Sequence, residues 1–229
     1  MKEAGARLLH QVGTLPAARE AEAAGADVLI AQGQEAGGHV HGRTPTFGLL
    51  RTVLKTTALP VVASGGIGTS KGLARALSFG AQGVQCGAAF LATAESFAHD
   101  YHKQRIVTAR GEDTVLTDGF VLNWPKGSAV RVLRNSVTEA FDPALTGHDP
   151  ERITHEVIAH DGPIPRLRQS TDSPLRTTTG DLEQMPLYCG TGAGEIDAIV
   201  PAARRLNALC AEAHDQLRSD RRTPTVGQT

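Results

Sequence analysis

The sequence predicts an α/β fold built from parallel βα units. Three observations carry this expectation. Short apolar runs such as Val28-Leu29-Ile30 and Val61-Val62-Ala63 alternate with amphipathic, Ala- and Leu-rich stretches. Glycines punctuate the chain where one element gives way to the next, as at Gly25 and Gly80. Aromatic residues make up only 4% of the chain while Gly numbers 25, a balance suited to helices packed closely on strands.

Leu8 to Val12 reads as a short buried strand. Thr14 can cap the helix that follows and Pro16 suits its first turn; Ala17 to Ala24 carries its charged face, and Gly25 stops it. Asp27 to Ala31 is a strand, apolar at nearly every position, as in a parallel sheet covered on both faces. Gln32 to Pro45 reads as a Gly-rich loop. Thr46 to Thr57 is a helix with Phe47, Leu50, Val53 and Leu54 at helical spacing. Leu59 to Ala63 is the next strand, Gly65 to Gly68 its loop, and Ser70 to Phe79 a helix closed by Gly80. Gly83 to Cys86 is a fourth strand, with Gly87 to Phe90 as its loop and a helix from Ser96 to Thr108. Such βαβαβαβα order predicts right-handed crossovers and a parallel sheet, in either a doubly wound sheet or a (β/α)8 barrel. Four strands do not close a barrel, which needs eight.

Residues 110–184 are less regular, with short β-like runs such as Val130 to Leu133, and read as an appended or inserted region. Residues 185–218 form a return segment and a C-terminal helix, Ala198 to Leu217. Residues 219–229, polar and without apolar period, read as a disordered tail. The expected organisation is thus residues 1–109 as barrel-type βα units, followed by these three pieces.

Composition narrows the function classes. The 229 residues carry a net charge of −1, which leaves no basic field for nucleic acid or an anionic membrane. No apolar run approaches the roughly 20 residues that span a bilayer. Residues 1–9 have no signal-peptide core. Three scattered cysteines, Cys86, Cys189 and Cys210, argue for a reducing compartment rather than a disulfide framework. The expected location is the cytoplasm.

The chemistry concentrates at strand ends. Gly65-Gly66 lies between a strand and a helix, where glycine lets the backbone approach an anion and the helix N-terminus offers free N–H groups. Gly87-Ala88 is a second such turn. Two successive turns of this kind suggest a phosphate site, although tight packing alone would also select glycine there. If these are the last two loops of a barrel, Leu8 to Val12 is its fifth strand. His39, after Gly37-Gly38, is the candidate acid or base, because an imidazole titrates near neutrality. Gln32 ends its strand at the same rim and can hydrogen-bond the edge of a heterocycle. Glu35 reads as a capping carboxylate, Ser64 as a small packing residue, and Cys86 as an inert core thiol. No metal site is expected: His39 and His41 lack a third ligand at suitable spacing, and His99 with His102 reads as a solvated helix face.

These residues resemble a known family. Residues 26–41 are similar to the Gln-Gly-x-Glu-Ala-Gly-Gly-His segment of the nitronate monooxygenases, formerly 2-nitropropane dioxygenases. Pro60 to Gly68 resembles their phosphate loop, Gly83 to Ser96 the next signature, and Met185 to Gly194 a late flavin-side segment. The resemblance runs in order from residue 5 to about 210. It implies a (β/α)8 TIM-barrel type of fold, of which the chain carries about strands 5–8 plus a small appended region. It also implies FMN as cofactor and oxidation of alkyl nitronates by dioxygen to a carbonyl compound and nitrite. On this resemblance His39 is the catalytic residue. Gly65, Gly66, Gly87 and Ala88 hold the FMN phosphate, and Gln32 and Gly33 lie near the isoalloxazine.

Two departures stand out. The family usually has Thr where this chain has Ala88, which implies a loss of about 1–2 kcal/mol in phosphate binding. The resemblance also begins only at the fifth strand. The exposed sheet face this leaves predicts self-association, or a partner chain supplying the remaining strands. Three functions therefore compete. The first is a nitronate monooxygenase, with activity of these residues alone in question. The second is a flavin-dependent enoyl-acyl-carrier-protein reductase, which shares the Gly-Gly-His loop. The third is a non-catalytic remnant that holds no FMN.

Overall fold

The computed structural model describes residues 5–140 and 154–220, apart from residues 121, 123 and 126. Its centre is a sheet of four parallel strands: β1 (Leu9–Val12), β2 (Val28–Gln32), β4 (Val61–Ser64) and β5 (Gly83–Gln85), hydrogen-bonded in that order. Strand β3 (Gly38–Val40) leaves this sheet. Each central strand but the last is followed by a nine-residue helix: α1 (Leu15–Ala23), α2 (Thr46–Leu54) and α3 (Ser70–Ser78). Strand neighbours in space are neighbours in chain order. That order is the one a (β/α)8 barrel uses and lacks the reversal of a doubly wound sheet. Among the described residues β1 and β5 are unpaired edges, so no closed barrel is present.

Local chemistry explains the helices. The Thr14 hydroxyl accepts from the Ala17 N–H at the start of α1, and Thr69 accepts from Gly72 at the start of α3. Gly25 and Gly80 follow these helices at φ of 87° and 100°, the left-handed region that favours glycine. One face of the sheet buries Val12, Leu29, Ala31, Val61 and Ala63 against Ala18, Ala21, Leu49, Leu50, Val53 and Ala76 of the helices. The strand register puts Leu9, Gln11, Ile30, Gln32, Val62, Ser64 and Gln85 on the opposite face.

Two small antiparallel sheets complete the structure. One has the order β3-β7-β6, with β6 (Thr114–Thr117) and β7 (Ala129–Leu133); the other has the order β10-β8-β9, with β8 (Val157–Asp161), β9 (Ile164–Leu167) and β10 (Thr178–Gly180). Helical pieces α4 (Ala88–Leu91), α5 (Asp100–Thr108) and α6 (Ser136–Glu139) join these parts, and α7 (Ala202–Asp220) packs along α3. No described helix is long and apolar enough to cross a membrane.

The structure corrects several sequence expectations. Gln32 to Pro45 is not all loop: β3 lies within it, paired to β7 from a region expected to be irregular. Its strand character comes from a partner distant in sequence, which local pattern does not show. Leu8 to Val12 is not a buried strand, because β1 is an edge and Leu9 and His10 are exposed. Gly87 to Phe90 is not a plain loop; Gly87 leads into the helical turn of α4. The helix expected from Ser96 starts at Asp100, where the His99 ring accepts from the Tyr101 N–H and caps it. The C-terminal helix starts at Ala202, after Pro201, and continues through Asp220, so the first two residues of the expected tail are helical. Residues 221–229 lie outside the described residues.

Candidate active site

The C-terminal ends of the four parallel strands share one cavity of about 270 Å³. Gln11, Gln32, Ser64 and Gln85 line it from the sheet, each at or next to the end of its strand. In open and closed α/β folds alike, ligands bind at this end of the strands. Two turns form one wall: Gly65 to Gly68 between β4 and α3, and Gly87-Ala88 between β5 and α4. Among the described residues, no hydrogen bond takes up the N–H of Gly66, Ile67 or Gly68, nor that of Ala88 or Ala89. Free N–H groups on two adjacent turns suit a phosphate or another oxyanion.

The glycines of the first turn also answer to packing. Gly65 and Gly66 have φ of 112° and 67°. A Cβ on Gly66 would lie 2.9 Å from the Glu35 Cβ, and one on Gly65 would lie 2.9 Å from the Thr46 hydroxyl. Both readings of these glycines, anion approach and tight packing, are therefore physically present. Gly87 differs, since a Cβ there would meet nothing within 4 Å.

His39 forms the opposite wall, and its placement follows from β7. His39 pairs with Val130, and Tyr188 pairs with Val132 further along the same edge. Residues two apart on a strand share a face, so the two aromatic rings come to 6.4 Å between centroids. Gly37 allows a tight crossing here: a Cβ on it would lie 2.6 Å from the Gly190 backbone. Thr191 N–H donates to the Glu35 carbonyl at 3.0 Å, closing the loop onto residues 190–194.

The His39 Nε2 is buried and has no hydrogen-bond partner among the described residues. Burial, and secondarily the charge of His41, hold its pKa below the ordinary imidazole value of 6.5. A neutral imidazole with a free ring nitrogen can take or give a proton.

Gln32 and Gly33 are placed differently from each other. The Gln32 amide donates to the His39 carbonyl at 2.7 Å and accepts from the His41 N–H at 3.1 Å, so it braces the histidine loop as well as lining the cavity. Gly33 does not line the cavity; its Cβ position is filled by the Thr46 backbone and hydroxyl. Gly33 is there because α2 starts against it. The Glu35 carboxylate accepts from the Thr46 N–H and hydroxyl, each at 2.8 Å, a capping role at the start of α2.

Sequence reasoning passed over several residues. Arg131 donates to the Gln34 carbonyl at 3.0 Å and to the Thr114 hydroxyl at 3.2 Å, tying the loop to β6. Tyr188 lines the cavity, and its own hydroxyl donates to the Thr171 carbonyl. His102 is fully buried, contrary to the solvated face expected for it, with its Nε2 3.1 Å from the Tyr188 carbonyl. Local periodicity missed this because α5 is buried by the 185–196 segment from far along the chain. Burial raises the Cys86 thiol to about 11 and the Cys189 thiol to about 12, so neither is a thiolate at neutral pH. No group of metal-binding side chains occurs among the described residues.

Comparison with known proteins adds independent findings. The nitronate monooxygenase family model matches residues 1–212. A probable nitronate monooxygenase of Bacillus subtilis (strain 168) is 31% identical over 220 residues, which cover 93% of this chain and 59% of that protein. The solved nitroalkane oxidase of Streptomyces ansochromogenes superposes with a TM-score of 0.75 at 33% identity, covering 96% of this chain and 60% of that one. FabK from Thermotoga maritima superposes with a TM-score of 0.75 at 30% identity, covering 96% and 65%. The chain thus spans less than two thirds of the length of each of these proteins.

Proposed function

The chain belongs to the nitronate monooxygenase family, and on that premise we propose that it takes part in FMN-dependent oxidation of alkyl nitronates to a carbonyl compound and nitrite. The observation that carries this reading is the pairing of two features across one cavity. A buried imidazole nitrogen without a partner stands on one wall, and two turns with free N–H groups stand on the other.

These residues fit FMN. The N–H groups of Gly66 to Gly68 and of Ala88 and Ala89 would hold the phosphate, with the dipoles of the following helices adding to the field. At Ala88 the backbone is the sole donor, since its methyl offers none. A cavity of about 270 Å³ is just below the roughly 300–1,000 Å³ of pockets that enclose a drug-sized ligand, so it would take the phosphate end and leave the ring over the strand ends. FMN, when bound, supplies the electron acceptor and the route to dioxygen. The chain's own part is positional. Gln32 fixes the backbone of His39 and His41, and His39 holds a proton-accepting nitrogen within a water-poor wall. The enoyl-acyl-carrier-protein reductase alternative uses the same kind of loop and phosphate site, and substrate trials separate the two.

The test is reconstitution of the full chain with FMN, followed by absorbance near 450 nm (the usual oxidised-flavin band) and nitrite release from ethyl nitronate. Bound flavin and nitrite are expected, and His39→Ala is expected to keep the flavin and lose turnover. A chain that retains no flavin, or one that reduces crotonyl thioester with NADH and releases no nitrite, would overturn this reading.

A further inference from the structure

His39 borders a second cavity that none of the phosphate-side turns lines. It measures about 200 Å³ and is bounded by His39, His41, Trp124, Gly127 and Ser128. The Trp124 ring lies directly on the imidazole, with centroids 3.6 Å apart and planes tilted by 32°. Trp124 is the chain's single tryptophan, and although apolar and large it stays 43% exposed. The His39 imidazole is the one ring the indole packs on among the described residues. That imidazole carries the buried nitrogen with no partner among the described residues.

The compartment is small and of mixed character. Its volume is below the roughly 300–1,000 Å³ of sites for drug-sized ligands. Two imidazoles and the Ser128 hydroxyl supply hydrogen-bonding groups, and the indole with Val40 and Ala129 supplies apolar wall. Those groups match a short anion with two oxygens and an alkyl tail. A carrier arm on an acyl thioester would lie outside a cavity of this volume.

We propose that Trp124 is the positioning residue of this site: its indole seats the His39 imidazole and walls the outer cavity as a compartment for a small nitronate. This rests on the nitronate reading above. Among the described residues the titratable groups beside His39 are few. His41 follows just beyond β3 and Tyr188 stands on the 185–190 segment, while Arg131, on β7 opposite Gly38, belongs to the other face of that sheet.

Because Trp124 is the sole tryptophan, indole emission reports on this one position. An imidazolium quenches indole emission, so emission of the full chain should show one titration step with a midpoint below 6.5. The step should vanish in His39→Gln and persist in His41→Gln. Ethyl nitronate should change the emission saturably, and crotonyl-coenzyme A should not. In the FMN-loaded chain, Trp124→Phe should keep the acid limb of the pH profile. Trp124→Ala should move that limb upward and raise the KM for ethyl nitronate about tenfold with flavin retained. An emission without a step, a step that survives His39→Gln, or a response to the thioester alone would overturn the assignment. Failure of the functional reading looks different: no nitrite is released while the emission step stands. Nitrite release with no emission step overturns the Trp124 assignment and leaves the functional reading intact.

Discussion

His39 takes its properties from burial and from backbone placement rather than from a carboxylate partner. Desolvation comes first and the like charge of His41 second, and both lower its pKa. A lowered imidazole pKa means the neutral form persists below pH 6.5 and is lost only as the pH falls through the depressed midpoint. Activity that needs neutral His39 should therefore show an acid limb below 6.5, and His41→Gln should move that limb upward by removing the like charge. A pH–rate profile of both proteins checks this; a limb above 6.5 in the unaltered chain would contradict it. The brace beneath His39 makes a second expectation. Gln32 is buried and satisfies one carbonyl and one N–H of the loop. Gln32→Leu keeps the volume and orphans both groups, which should cost about 1–3 kcal/mol in urea denaturation. Gln32→Glu can still accept from the His41 N–H but sets a buried carboxylate oxygen against the His39 carbonyl, and should lose at least as much.

At the level of elements, α5 shows how a helix can be mistaken for a surface one. His102 is buried between the Tyr188 carbonyl and the Ser173 hydroxyl, and burial holds its pKa at about 4. The unfolded chain binds that proton near 6.5, so the unfolded state gains protons first as the pH drops. The stabilising contribution is complete above 6.5 and drains away as the pH falls toward 4. A depression of this size corresponds to about 3 kcal/mol in all. Urea midpoints should fall over that window, and a His102→Asn chain, already weakened at neutral pH, should show a flatter dependence. An identical slope in both would remove His102 as the cause. The same helix explains what the sequence could and could not reveal. The βα units were legible because each strand and helix carries its own period and its own cap, as at Thr14 and Thr69. His39, Gly65, Gly66, Gly87 and Ala88 were legible as cavity-facing positions because strand ends gather them whatever the rest of the chain does. The pairing of β3 with β7 was not, because its partners are some ninety residues apart and the strand is only three residues long. Gly33 lies off the cavity for a related reason: its neighbour is Thr46, which a linear reading puts at the far end of a loop.

Across the whole molecule, the parallel sheet is covered by helices on one face and only partly covered on the other. Leu9 is 55% exposed on that second face, and both β1 and β5 present unpaired edges among the described residues. An exposed edge with an apolar face beside it invites pairing with another chain. The full chain should therefore sediment as a dimer or larger species. Leu9→Lys places a charge at the start of β1 and should shift it toward monomer, while its far-ultraviolet dichroism stays unchanged. The hairpin of β8 and β9 provides the control, since Val157 and Ile164 are also exposed there, 49% and 53%, but its strands belong to a different sheet. Val157→Lys should leave the association intact. If that substitution dissolves the oligomer and Leu9→Lys does not, the contact lies on the hairpin and the open sheet face is free in solution. A monomeric unaltered chain would mean that partial burial of Gln11, Ile30 and Val62 already suffices to keep the sheet face from self-pairing.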